Sequence, residues 1–323
     1  MNNFLKTFGL ALAALFVVSC SKDSNTKTVP LRDYATQYAT DIANIETFLK
    51  THYMVVVNNP GATNDLDVAY YELPEDGSEV SIWDQTEYPL QTHLVDQNNI
   101  TYKMYYLQFR EGSGANSKSP CNVDKVLTSY RGEYIYKDPV EVNKVVSFQF
   151  EESVNPQAFF DLTTVIKGWS EIFPKFKTGS YSGNPDGTIS YADFGAGIMF
   201  IPSGLAYYGS SKGNIPAYSP LIFSIKLYEV QRVDNDLDGV YSFQEDLDGD
   251  GYVRILAKGV LNPDDTDGDS VPDFLDTDDD GDYFTTFSEI KNPDTGESYP
   301  FDDIPTCGPE GNGKKKHLDP SCH

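Results

Sequence analysis

The placement of negative charge constrains this chain more than any other feature of its 323 residues. Residues 234–282 contain 17 Asp and Glu side chains but only two basic ones, so this stretch carries −15 of the formal net charge of −25. Carboxylates at this density repel one another, and too few apolar residues accompany them to form a core. We therefore expect the stretch to require cations. The same charge excludes nucleic acid as a general partner, because phosphates are repelled.

The spacing of these carboxylates predicts calcium sites. The stretch begins with a match to the twelve-residue EF-hand loop, in which oxygens at positions 1, 3, 5, 7, 9 and 12 bind Ca²⁺ and a glycine at position 6 forms the turn. The expected ligands are the side chains of Asp234, Asp236, Asp238, Ser242 and Glu245 and the carbonyl of Val240. A second loop begins with Asp246, Asp248 and Asp250, but Ala257 stands at its position 12, so its ligand shell is incomplete.

The remaining carboxylates resemble thrombospondin type 3 calcium repeats. The expected ligands are Asp265, Asp267, Asp269, Asp273, Asp276, Asp278, Asp280, Asp282 and Glu289. Tyr283 replaces the usual glycine of the last loop, which should weaken that site. A solvated, disordered tail is the alternative interpretation of an acidic run. Several loops with glycines at their turns favour structural Ca²⁺ instead, since millimolar calcium outside the cytoplasm fills even weak sites.

The first residues predict export from the cytoplasm. A basic residue precedes an apolar run at 8–18 that is too short to span a bilayer. The run ends Val-Val-Ser-Cys20, which resembles the lipobox of bacterial lipoproteins, where the cysteine is acylated. A plain secretory signal with an incidental cysteine is the alternative. The lipoprotein interpretation predicts a signal peptide at 1–19, a tether at 20–31, and a membrane-anchored, extracytoplasmic protein at the outer membrane or periplasmic face.

The other three cysteines fit an oxidising compartment. Cys307 and Cys322 bracket a short tail and can close it with a disulfide, whereas Cys121 is expected to be a buried thiol. The sequence has no Cys-x-x-Cys pair, which argues against a zinc site.

The body of the chain predicts an α+β fold. Apolar and aromatic side chains recur at a spacing near 3.6 over residues 32–53, which indicates an amphipathic helix that should end before Asn58-Asn59-Pro60-Gly61. Downstream, β-branched and aromatic runs alternate with turn residues. The predicted strands are Tyr102–Phe109, Lys125–Tyr130, Val145–Phe150, Ile198–Ile201 and Leu221–Val230. One short helix is predicted at Trp169–Phe173, and it ends at Pro174. The strands do not alternate regularly with helices, as they would in a parallel sheet, so we expect an antiparallel sheet.

Within this body, five short motifs occur in the order seen in FKBP-type peptidyl-prolyl cis-trans isomerases, which the chain resembles over about 130 residues. The motifs are Tyr130-Arg131-Gly132, Phe150-Glu151-Glu152-Ser153, Val165-Ile166-Lys167-Gly168-Trp169, Ile201-Pro202 through Ala206-Tyr207, and Ile215-Pro216-Ala217-Tyr218-Ser219-Pro220-Leu221-Ile222-Phe223. The resemblance implies an antiparallel sheet wrapped around a short helix at 93–232. An N-terminal helix and β-leaning extension at 32–92 would precede it, and the acidic calcium segment and tail at 233–323 would follow.

The resemblance also implies an aromatic pocket. Trp169 would form its floor, and Tyr207 and the backbone N–H of Ile166 would donate hydrogen bonds to substrate carbonyls. The walls would be Tyr130, Phe150, Val165, Ile166, Ile215 and Phe223. Glu151 stands where the family usually has Asp, and an additional tyrosine, Tyr208, follows Tyr207. A plain hydrophobic core is the alternative interpretation of these aromatic residues.

These observations lead to one leading functional hypothesis. We expect a lipid-anchored prolyl isomerase that assists the folding of exported, proline-containing polypeptides, needs no cofactor for catalysis and carries structural Ca²⁺ in its C-terminal segment. Two alternatives remain open: an FKBP-like module that binds proline segments without catalysis, and a calcium-dependent adhesion protein that uses the fold as a scaffold.

Overall fold

The computed structural model describes residues 30–141, 144–308 and 313–322, and one compact unit begins at Asp33. The predicted signal peptide and Cys20 lie outside the described residues. Among the helices that the structure does describe, none combines the length and apolar character needed to cross a membrane.

The N-terminal helix, α1, spans Tyr34–Thr51 and begins at Asp33, whose carboxylate accepts a hydrogen bond of 2.9 Å from the Thr36 N–H. The chain then enters strand β1 (His52–Val56), which pairs antiparallel with β2 (Val68–Glu72). The helix therefore ends earlier than its apolar spacing suggested, because β1 pairing begins at once. The Asn-Asn-Pro-Gly segment lies in the loop between these two strands.

A seven-stranded antiparallel sheet forms the centre of the fold. Its spatial order is β3-β4-β10-β11-β5-β6, and β7 pairs with β5. The strands are β3 (Gln91–Gln97), β4 (Ile100–Arg110), β5 (Lys125–Lys137), β6 (Val145–Ser153), β7 (Phe160–Asp161), β10 (Gly195–Ile201) and β11 (Leu221–Gln231). This mixed α and β architecture, with antiparallel pairing and few helices, agrees with the coarse fold class expected from sequence.

Both faces of the sheet are covered, which explains why every residue of β10 is buried. Ile198 and Phe200 pack in one apolar cluster with Ile45 and Phe48 of α1. The intervening Met199 belongs to a second cluster together with Trp169 and Ile172 of helix α2 (Lys167–Ile172). Alternate side chains of a strand point to opposite faces, so α1 and α2 lie on opposite sides of the sheet.

The segment after α2 contains a hairpin of β8 (Ser180–Gly183) and β9 (Ile189–Ala192). Its turn is closed by a hydrogen bond of 2.8 Å from the Asn184 N–H to the Thr188 carbonyl. The residues of this hairpin are mostly exposed, so it adds little to the core.

The C-terminal segment consists of loops, short 3₁₀ turns and one short helix, α3 (Thr286–Glu289). Its contact with the sheet includes a reciprocal pair of 2.9 Å hydrogen bonds between the Asn122 side chain and the backbone of Val253. Cys307 and Cys322 form a disulfide, with their Cα atoms 5.6 Å apart. Cys121 is a buried free thiol.

Candidate functional site

An aromatic cavity of about 670 Å³ lies on the α2 side of the sheet. The Trp169 ring is 4% exposed and makes edge-to-face contacts with four rings. Three of them line the cavity, those of Tyr130, Phe160 and Phe223, at centroid distances of 5.2, 5.4 and 5.1 Å. Such contacts fix ring orientation more tightly than aliphatic packing does. The cavity therefore has a rigid aromatic lining.

Close packing of α2 on the sheet places Trp169 in this cavity. A Cβ atom on the preceding Gly168 would lie 2.5 Å from Cγ2 of Ile201, so only glycine allows the helix to approach β10 this closely. The indole Nε1 of Trp169 is buried and has no hydrogen-bond partner among the described residues. A buried donor without a partner is costly, and a ligand carbonyl would satisfy it.

Gly132 has a comparable role in the wall of the cavity. A Cβ atom at this position of β5 would lie 2.5 Å from Cζ of Phe150 and 3.0 Å from Cε1 of Phe223. The glycine of the Tyr-Arg-Gly motif thus leaves room for two of the lining rings.

Glu151 and two tyrosines form the polar part of the cavity. The Glu151 carboxylate lines the cavity together with Tyr130 and is close enough to affect the pKa of that phenol. Burial, and after it the negative charge of Glu151, raise the pKa values of both Tyr130 and Tyr207. Both phenols therefore stay protonated at neutral pH and can act as donors.

The structure separates the roles of the two adjacent tyrosines. Tyr207 lines the cavity. Tyr208 adopts a left-handed backbone conformation (φ 48°) and stacks on Tyr34 of α1 at a centroid distance of 4.3 Å. The turn before them, Ser203–Leu205, is held by Asp41 of α1, which accepts hydrogen bonds of 2.8 and 2.6 Å from the Ser203 N–H and hydroxyl.

The structure brings together all but one of the predicted pocket residues. Those that line the cavity are Tyr130, Phe150, Glu151, Val165, Ile166, Trp169, Tyr207 and Phe223. Ile215 is 5% exposed and packs in the neighbouring core, so it does not line the cavity. Phe160 does line it, although the sequence analysis missed it, because it lies on the two-residue strand β7 between the motifs.

Four loops of the C-terminal segment share one backbone geometry; we call them loop 1 (234–245), loop 2 (246–257), loop 3 (265–276) and loop 4 (278–289). In loop 1, the Asp234 carboxylate accepts hydrogen bonds of 2.7 and 3.1 Å from the N–H groups of Leu237 and Gly239. Positions 4 and 6 of every loop have positive φ. These residues are Leu237, Gly239, Gly249, Gly251, Gly268, Ser270, Gly281 and Tyr283.

The first three carboxylates of each loop converge. In all four loops the oxygens of positions 1, 3 and 5 can approach within 4.8 Å of one another. Tyr283 adopts φ 78° although it is not a glycine, so the turn of loop 4 forms in spite of this substitution. Loop 2, which lacks an acidic residue at position 12, has Asp264 beside it: this buried carboxylate accepts a hydrogen bond of 2.9 Å from the Leu247 N–H.

Several of these carboxylates are buried without a partner. Both side-chain oxygens of Glu245, Asp279 and Glu289 lack a hydrogen bond from any described residue. Burial, reinforced by neighbouring carboxylates, raises the pKa of Glu245 to about 10, that of Asp279 to about 11 and that of Glu289 to about 8. Buried carboxylates of this kind are stable only when protonated or bound to a cation. Their oxygen-only chemistry fits a hard divalent ion such as Ca²⁺.

Two predicted ligands are engaged elsewhere. The Ser242 hydroxyl lies 2.9 Å from the Asn235 side-chain nitrogen, and Asp273 accepts hydrogen bonds of 2.8 and 2.7 Å from the Thr266 N–H and hydroxyl. Asp279 is not among the ligands predicted from sequence, because it occupies position 2 of loop 4, a position that supplies no ligand in the EF-hand pattern.

Comparisons with known proteins give a partial match. A family model described as BamM C-terminal matches residues 235–314. No curated protein matches the chain. Among solved structures, a peptidyl-prolyl cis-trans isomerase from Pseudomonas syringae pv. tomato is 25% identical, with 40% of this chain and 76% of that chain covered and a TM-score of 0.29. FkpA from Escherichia coli is 23% identical, with 40% and 48% covered and a TM-score of 0.26, so the match spans about half of its length.

Proposed function

We propose that this chain is an FKBP-type peptidyl-prolyl cis-trans isomerase of the cell envelope, carrying a calcium-bound C-terminal segment. The observation that carries the proposal is the convergence of residues from all five sequence motifs on one aromatic cavity with Trp169 at its base. A plain core would leave no space between these rings, whereas here they surround a cavity large enough for a prolyl ring, even though Trp169 and Phe223 are themselves buried.

The reaction needs no acid, base or nucleophile. Rotation about an X-Pro bond meets a barrier of nearly 20 kcal/mol, because resonance gives the C–N bond partial double-bond character. An apolar cavity removes water from the prolyl carbonyl and disfavours the charge-separated planar amide. A reduction of ~4 kcal/mol in the barrier accelerates rotation about a thousandfold.

The polar groups at the rim orient the peptide. The Tyr207 hydroxyl and the Ile166 N–H, neither of which has a hydrogen-bond partner among the described residues, can donate to the carbonyls that flank the proline. Donors placed where the twisted amide develops charge stabilise it more than the planar ground state. Ring contacts with Phe160, Trp169 and Phe223 hold the Tyr130 phenol at the side of the cavity.

The proposal also includes where the protein acts and which polypeptides it acts on. Acylation of Cys20 would anchor it to a membrane outside the cytoplasm, where the Cys307–Cys322 disulfide is stable. Its clients would be exported polypeptides that contain proline. The buried carboxylates of the C-terminal loops would bind structural Ca²⁺, whose role there is to neutralise charge and stiffen the segment.

The test is an isomerisation assay on the lipid-free chain in millimolar calcium, with a short X-Pro peptide. We expect the parent to accelerate the reaction and Trp169→Ala to lose at least nine-tenths of the activity while it keeps the circular dichroism spectrum of the parent. Trp83→Ala is the matched control, because Trp83 packs with the α1 cluster on the other side of the sheet. A folded parent without activity contradicts catalysis, and peptide binding by that parent would favour the binding module instead.

A further inference from the structure

Three buried carboxylates from two different loops meet in the C-terminal segment. Oxygens of Asp238, Glu245 and Asp279 lie within 4.8 Å of one another. Each side chain belongs to a residue that is at most 2% exposed. Asp238 and Glu245 are positions 5 and 12 of loop 1, whereas Asp279 belongs to loop 4, more than thirty residues later in the sequence.

Nothing described in the protein compensates these charges. None of the three residues forms an ion pair with any Lys, Arg or His among the described residues. Both oxygens of Glu245 and Asp279, and one oxygen of Asp238, also lack a hydrogen-bond donor there. The hydroxyl of Thr286 faces Asp238 and Asp279, but a neutral donor cannot balance three carboxylates.

Loop 1 alone offers Ca²⁺ six protein oxygens, the lower end of the usual range: one each from Asp234, Asp236, Asp238 and the Val240 carbonyl, and two from Glu245. A calcium ion binds six to eight oxygens, and position 9 normally supplies one directly or through water. Here position 9 is Ser242, whose hydroxyl is 2.9 Å from the Asn235 side-chain nitrogen and 3.2 Å from the Asn235 N–H. Its lone pairs are therefore directed at Asn235, so loop 1 itself does not supply a seventh ligand.

We propose that Asp279 supplies a seventh protein ligand, so that one Ca²⁺ ion is bound by loops 1 and 4 together. This inference rests on the proposed calcium binding, and it adds that the ion is shared between loops. The loop 1 site then reaches its full affinity only when loop 4 is in place, and the C-terminal segment orders as one unit instead of as independent loops.

The test compares calcium binding by the full lipid-free chain and by Asp279→Asn, with calcium itself as the titrant in calorimetry. We expect Asp279→Asn to weaken calcium binding at one site at least tenfold, and we expect Glu245→Gln to weaken the same site. The double variant, Asp279→Asn with Glu245→Gln, should therefore lose no second site. Asp294→Asn is the control, because it removes one exposed carboxylate of the same segment outside the four loops. We expect its binding to equal that of the parent.

Thermal stability separates a ligand from a structural residue. Without calcium, Asp279→Asn should raise Tm, because one of three mutually repelling buried carboxylates is removed; in millimolar calcium it should lower Tm relative to the parent. A shift in the same direction under both conditions would overturn the inference.

Hydrogen exchange of Glu245→Gln provides a second test: amides of loop 4 should lose calcium-dependent protection, and unchanged protection would also overturn it.

The outcomes also separate this inference from the calcium proposal. If the parent binds calcium and Asp279→Asn binds it with unchanged stoichiometry and affinity, the shared site is wrong and the calcium proposal stands. If the parent binds no calcium, the calcium proposal itself is contradicted.

Discussion

The carboxylate of Glu171, two residues after Trp169 on α2, lies 3.2 Å from the guanidinium of Arg254 in loop 2. The same carboxylate is 2.8 Å from Lys167 and 2.9 Å from His93. Burial opposes its charge, but these partners outweigh the burial and lower the pKa of Glu171 to about 2. The acidic segment is therefore anchored to the helix that carries the floor of the aromatic cavity.

Removing Arg254 tests this anchor. Arg254→Ala should lower the free energy of unfolding by about 1–2 kcal/mol, since Glu171 is fully buried but keeps two of its three partners. The measurement is urea denaturation in saturating calcium. Lys258→Ala, at an exposed position in the same loop region, is the control. Equal stability of the parent and Arg254→Ala would show that this contact contributes nothing.

Removal of calcium should unfold the C-terminal segment earlier than the central sheet. Carboxylates that lose their cations repel one another, whereas the sheet retains its apolar core. Trypsin in the presence of a chelator should therefore cleave first after Arg254, Lys258 and Lys291, and added calcium should protect these sites. The fragments can be identified by mass spectrometry. Early cleavage within the central sheet would contradict this order.

Gly132→Ala should damage the cavity. The new methyl group would press on the Phe150 ring, which must move toward the space that substrate occupies. We expect a loss of about 1–3 kcal/mol of stability together with a reduction in kcat/KM. Gly183→Ala is the matched control, because a Cβ atom there meets nothing within 4 Å. Full activity of folded Gly132→Ala would contradict the placement of Phe150 in the site.

Asp41 should affect the cavity from the opposite side of the sheet. Asp41→Ala leaves the buried N–H and hydroxyl of Ser203 without their acceptor, at a cost of about 1–3 kcal/mol. The turn that leads to Tyr207 should loosen, so we expect lower isomerase activity in a folded variant. Thr40→Ala, on the exposed face of the same helix, should leave both quantities unchanged. Activity equal to the parent would show that the turn is held by other contacts.

The burial of His52 leads us to expect that the stability of the protein depends on pH, by a mechanism that does not involve calcium. Burial lowers the pKa of His52 below its usual 6.5, so the folded state binds its proton less readily than the unfolded state. Stability should therefore fall as the pH drops below about 6.5. His52→Phe should show a shallower decline between pH 8 and pH 5.5 in denaturant titrations. An identical slope would exclude His52 as the cause.

Positions could be predicted from the sequence where all the residues of a structural feature lie within one short motif. Trp169 and Gly168 are adjacent, and each of the four acidic loops repeats its own carboxylates and turns, so local spacing was enough to predict these positions. Phe160, Asp264 and Asp279 could not be predicted, because each reaches its site only through tertiary contacts with distant residues. The end of α1 was misplaced for a related reason: the pairing of β1 with β2 ends the helix at Thr51, well before the Asn-Asn-Pro-Gly turn.

The position of α1 behind the sheet sets the smallest fragment that can fold alone. A chain cut at residue 93, the predicted start of the domain that contains the five motifs, would expose Ile198, Phe200 and Ile222 to water, because Ile45, Phe48 and Leu49 would no longer cover them. Such a fragment would contain every side chain that lines the cavity and still tend to aggregate. The helix after the tether is thus an indispensable part of the domain, and an expression boundary for this protein belongs before Asp33.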